Sequence, residues 1–144
     1  MPGGFYIEGK KEKIDISVLV AAVAELEAKL NSLVFDSPIE STVVMDGTEQ
    51  VLVEQTDGVS SLLEGYVDMS SMTGGDIIVI RQYMKIKTGG AYVKYAEETY
   101  TGAQPTPLVY ISAKPANIAV KVTAEQTAGV NRSLDCQFSR LRGA

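Results

Sequence analysis

The sequence predicts a mainly β protein, an antiparallel β-sandwich of jelly-roll type preceded by one N-terminal α-helix. Three observations carry this. Apolar residues recur at gaps of three and four between positions 16 and 33, which is the period of a helix. From position 41 onward the period changes to two, with Gly, Asp and Pro turn residues about every eight to twelve positions. No stretch alternates strand with helix, so a parallel α/β sheet is excluded. The expected division is an N-terminal arm over 1–14, an oligomerisation helix over 15–35 and a sandwich over 40–141.

The arm places the apolar triplet Phe5, Tyr6 and Ile7 among Pro2, Gly3, Gly4 and Gly9. An extended segment whose triplet contacts a partner and an unanchored tail both fit this composition. Lys10, Lys11 and Lys13 make the local basic cluster, interrupted by Glu12, and read as a solvated entry to the helix. A charged start followed by an apolar run is missing, so the arm does not read as a secretory signal.

In the helix, Asp15 or Ser17 can accept a hydrogen bond from the free amides of the first turn. Ile16, Val23 and Leu30 then fall at the a positions of a heptad, and Leu19, Leu26 and Leu33 at d. Val18 and Val20 lower helix propensity, whereas Ala, Glu, Leu and Lys over 24–30 restore it. Asn31, Ser32, Asp36, Ser37 and Pro38 end it. β-branched residues at a with Leu at d favour two strands, but Val20 at e and Ala22 at g widen the apolar surface and favour three. Nothing else in the chain has a helical pattern, so the expected partner is another copy, as a homo-oligomer with trimer ahead of dimer. The competing reading packs the helix on its own sandwich, as amphipathic helices usually do.

Eight strands are expected, over 42–46, 49–55, 62–69, 77–87, 91–101, 108–111, 118–126 and 133–139. Asp46-Gly47, Asp57-Gly58 and Thr88-Gly89-Gly90 supply turns, because glycine tolerates the positive φ that tight turns need. Gly65 inside a strand predicts a bulge or bend. Alternation sets Val51 and Val53 opposite Leu52 and Glu54. It turns Ile78, Ile80, Met84 and Ile86 to the core, with Ile118, Val120, Val122, Ala124, Leu134, Cys136 and Phe138.

The search for chemistry returns little. The chain has no histidine, which removes the commonest general base, the serine-protease type of triad and the usual zinc and copper ligand. A single cysteine, Cys136, allows no intrachain disulfide and no thiolate cluster; its alternation with Leu134 and Phe138 makes it a core thiol. Glu97 and Glu98 are strand neighbours and point to opposite faces. Asp46, Asp57, Asp68 and Asp76 lack the spaced ladder of a calcium loop and read as turn chemistry. No enzyme, no cofactor and no metal are therefore expected. A net charge of −5 argues against nucleic acid. The apolar run over 18–24 is too short to cross a membrane, and a soluble protein is expected. One alternative remains in Tyr92, Tyr95 and Tyr100, grouped with Tyr83 on one hairpin, as a face for a carbohydrate-binding or adhesin module. Tyrosine is also an ordinary strand residue.

Four stretches taken together, 41–54 (STVVMDGTEQVLVE), 75–86 (GDIIVIRQYMKI), 95–105 (YAEETYTGAQP) and 120–138 (VKVTAEQTAGVNRSLDCQF), resemble small β-sandwich virion structural proteins of tailed phages and related archaeal viruses. The likeness lies in strand order and turn wording, covers most of the chain after the helix and includes no catalytic motif. It implies a trimeric capsid-decoration or head-appendage protein that binds the major capsid protein or another virion protein. The implied location is the virion, assembled in the host cytoplasm. The N-terminal helix and arm depart from that pattern.

Overall fold

The computed structural model describes residues 16–31 and 34–142. The chain divides into two compact units, 1–33 and 34–144. In the first, α1 (Ile16–Asn31) is the described element, with Glu25 and Lys29 paired one turn apart at 3.0 Å. The arm with Phe5, Tyr6 and Ile7, and Leu33 at the last expected d position, lie outside the described residues.

The second unit is a sandwich of β1 (Val34–Phe35), β2 (Ile39–Val44), β3 (Gln50–Gln55), β4 (Ser61–Asp68), β5 (Ile77–Lys85), β6 (Val93–Thr101), β7 (Leu108–Ser112), β8 (Ala119–Ala128) and β9 (Ser133–Arg142). One sheet runs β2-β9-β4-β7, with β1 also on β9; the other runs β3-β8-β5-β6. Every pairing is antiparallel. From β2 onward each connection crosses between the sheets except the β5–β6 hairpin. This is the jelly-roll order.

Alternation decides what fills the interior. Leu63 and Val67 of β4, Ile78 and Ile80 of β5, Val122 of β8 and Phe138 of β9 are all buried. Each lies on the inward side of its strand, so two half-apolar sheets close over one core. Gly47, Gly58 and Gly89 turn with φ of 84°, 72° and 73°, the left-handed region that side chains avoid.

Six expectations are corrected. The helix was expected over 15–35 but ends at Asn31. Val34 and Phe35 instead pair with Arg142 and Leu141 of β9, so the sandwich begins at 34 rather than 40 and has a ninth strand. A strand partner distant in sequence wins over helical period there. Val51 and Val53 do not share a face, because a register shift between them turns both Leu52 and Val53 into the core. Ile86 is not a core residue: β5 stops at Lys85 and Ile86 is 74% exposed beside the turn closed by the Gly90 amide donating to Lys87. Gly65 sits in an unbroken ladder opposite Phe138, with no bulge. Among the described residues no helix is long and apolar enough to cross a membrane.

Candidate functional site

On α1, Ile16, Leu19, Val23, Leu26 and Leu30 are exposed, from 47% at Val23 to 71% at Leu30. Val18 and Val20 add exposed apolar surface beyond the a/d line. Val20, Val23 and Leu19 line a shallow groove along the helix with Ala24 and Glu27. A helix of this length is marginal in water on its own. Fully burying each such side chain contributes about 1.5–3 kcal/mol.

The outer face of β3-β8-β5-β6 carries a charged lattice centred on Arg81. Its Nη1 lies 2.5 Å from Glu125 and 3.7 Å from Glu49, and its Nε donates to Glu97 at 2.8 Å. Lys94 donates to the same Glu97 oxygen at 2.6 Å. Glu49 also accepts from Tyr83 at 2.6 Å and from Thr123 at 2.5 Å. Burial pushes the Glu49 carboxyl up, yet the Thr123 and Tyr83 hydroxyls and Arg81 outweigh it, and the net shift is downward. Lys94, then Arg81, holds Glu97 below the ordinary carboxylate range. Acids already tied to a guanidinium are poor proton donors at neutral pH, so this lattice holds strands together rather than working as an acid–base pair.

The lattice gives a pH-dependent prediction. Arg81→Ala is expected to lower the melting temperature by about 5 °C at pH 7 and by much less near pH 3. Glu49 and Glu97 have depressed folded values, so their contribution is present above the ordinary glutamate value of 4.5 and lost as pH falls through the folded ones. Thermal melts at both pH values check it. An equal loss at each would assign the effect to the arginine stem instead of its charge.

The structure separates the three hairpin tyrosines. Tyr92 donates to Glu54 at 2.7 Å, and Lys85 and Lys121 lie 4.7 and 4.5 Å from its ring centre. Burial, with the Glu54 bond, pushes its hydroxyl up to about 12. The Tyr95 hydroxyl donates to Gln82 at 2.8 Å and accepts from the Lys114 amide at 3.0 Å. Tyr100 packs against the core, and burial raises its hydroxyl. Each of the three thus has its own partners within the sandwich. Cys136 is buried where the sequence placed it, its thiol pushed up to about 11 first by burial and then by Asp135; such a thiol is unreactive.

Sequence reasoning missed the acid with the most hydrogen bonds among the described residues. Asp76, 1% exposed, accepts from the Thr73 amide at 2.7 Å, the Val130 amide at 3.0 Å and Arg132 Nε at 2.8 Å. Gln126 joins the cluster, donating to the Val130 carbonyl at 2.7 Å while its own carbonyl accepts the Arg132 amide at 2.8 Å. The cluster fastens the β8–β9 turn to the loop before β5. Gly-Gly-Asp signals only a turn, and no local pattern announces an arginine 56 positions away. Among the described residues no group of three or more acidic or sulfur ligands is placed to hold a metal.

No family model matches this sequence, and no curated protein matches it. Among solved structures, one described in the words "Bacillus endospore appendages form a novel family of disulfide-linked pili" is similar, at 18% sequence identity and a TM-score of 0.49. The similarity covers 78% of this chain and 90% of that one.

Proposed function

We propose that the protein is a non-enzymatic structural subunit, a homotrimer joined through α1 that decorates a viral shell by binding a virion protein. The observation that supports this reading is the exposed apolar stripe of α1, self-complementary at its a and d positions, in a chain whose β3-β8-β5-β6 face ties its charged lattice up in holding strands together. The width of the stripe, with Val20 beside Val23, favours three helices over two. The virion setting rests on the sequence resemblance alone. The glycan-binding alternative loses support, because Tyr92, Tyr95 and Tyr100 have separate structural duties.

Sedimentation of the full chain tests it. A trimer is expected at micromolar concentration, and Leu26→Asp is expected to give a monomer with an unchanged sandwich melt, since an unpaired charge in an apolar seam costs several kcal/mol, roughly enough to dissolve it. A wild-type monomer at that concentration would sink the proposal.

A further inference from the structure

The outer face of β2-β9-β4-β7 differs from its counterpart. Across the four strands, Thr42, Asp135, Asp68 and Leu108 form one row of register partners. Glu40, Gln137, Tyr66 and Tyr110 form the next, and Glu64 follows on β4. The ionisable side chains with outward positions are thus Glu40, Glu64, Asp68 and Asp135, all acidic. Each accepts from neutral groups: Gln137, Ser112, Ser70 and Thr42 respectively. Like charges directly opposite, as in Asp68 and Asp135, destabilise a sheet. Beside them stand exposed Tyr66, Tyr110 and Leu108, the last 58% accessible. An open groove runs over this face between Glu40, Tyr66, Asp68 and Asp135.

Two occupants fit poorly. A second copy of the same face would bring like charges together. A sugar ring wants a flat aromatic platform, whereas the Tyr66 and Tyr110 rings, 5.4 Å apart, are inclined at 53°.

The chain's own N-terminal sequence has the complementary pattern. Laid out in extended form, FYIEGKKEK puts Phe5, Ile7, Lys11 and Lys13 on one side and Tyr6, Glu8, Lys10 and Glu12 on the other, so the first side is apolar then basic and the second has no net positive charge. Ile7 and Lys11 would then stand about 13 Å apart, and three strand spacings make about 14 Å. That is the distance from the Leu108 and Tyr110 strand to the Glu40 strand. We infer that residues 5–13 of a neighbouring copy lie across this face, with Ile7 against Leu108 and the tyrosines, Lys11 among the carboxylates, and Phe5 and Lys13 reaching the two edges. The inference rests on the assembly proposed above, which supplies the neighbour.

The test uses the full chain carrying Lys11→Glu and Lys13→Glu, which frees the face, and a fluorescent synthetic peptide of residues 1–14. Saturable binding is expected, weakened about fivefold when Asp68→Asn and Asp135→Asn are added to the chain. Neutralising two facing like charges while keeping their acceptor oxygens does not threaten the fold, and circular dichroism melts verify it. A peptide with Glu8→Gln and Glu12→Gln is expected to bind within about twofold of the original, its changes lying on the far side. Absence of saturable binding overturns the inference, as does binding indifferent to Asp68→Asn and Asp135→Asn. Equal competition by an unrelated lysine peptide also overturns it, making the face a general cation surface. Sedimentation keeps the two ideas apart: a trimer without peptide binding removes this contact alone, and a monomer that binds the peptide removes the helical assembly alone.

Discussion

Gly65→Ala is expected to lower the melting temperature by about 10–15 °C, corresponding to about 3 kcal/mol. Gly65 lies in mid-strand on β4, directly across from Phe138 on β9. A β carbon built there would stand 2.5 Å from Phe138 Cδ1 and 2.7 Å from Phe138 Cα, and would overlap the Gln137 carbonyl oxygen. Two of the three obstacles are backbone of a central strand, so relief requires moving β9 itself. The Phe138 ring cannot yield easily either, since it is 1% exposed at the centre of the core. Gly74→Ala is the control, because nothing lies within 4 Å of its β carbon, and its melt is expected to stay within about 2 °C of wild type. Equal melts for the two variants would show that β4 and β9 separate freely.

Asp76→Ala is the second large effect, with an expected loss of about 10–15 °C. It strips a partner from the part-buried Thr73 and Val130 amides and from Arg132 at once, and it removes the acceptor that three charge-assisted hydrogen bonds share. Gly129 packs directly on this carboxylate: its φ is 90° and a β carbon there would strike it. Asp76→Asn, which retains an acceptor, is expected to fall between wild type and Asp76→Ala. The pH dependence has a definite sign. The Thr73 amide first, then Arg132 and the Val130 amide, outweigh burial and hold the carboxyl below its ordinary 3.8. Its contribution is therefore complete above that value and disappears as pH falls through the folded one. Melts between pH 7 and pH 3 should show a steeper acid loss for wild type than for Asp76→Ala. Parallel curves would mean that Asp76 contributes shape without charge.

Strand alternation was legible wherever one face meets the core along an unbroken ladder. Leu134, Cys136 and Phe138 on β9, and Val120, Val122 and Ala124 on β8, lie where a period of two places them, whereas Ile118, expected with them, precedes β8 and is half-buried. It failed where the ladder slips: one extra residue between Val51 and Val53 reverses the parity that alternation assumes. The helical period in α1 was equally visible, because consecutive side chains repeat by geometry of the backbone alone.

Residue order alone was thus enough for the heptad helix and for eight of the strands, whose turns follow from residue type, but not for β1. Which distant groups meet was settled by the packed fold. It chose Val34 and Phe35 as partners of β9, set Gly65 against Phe138, gave Asp76 its arginine from 56 positions away, and gathered four acids onto one sheet face while neutralising those on the other. The physical reason is range. Backbone period and turn preference act between near neighbours in the chain, whereas packing, hydrogen bonds and charge act through space and depend on which strands come to lie together.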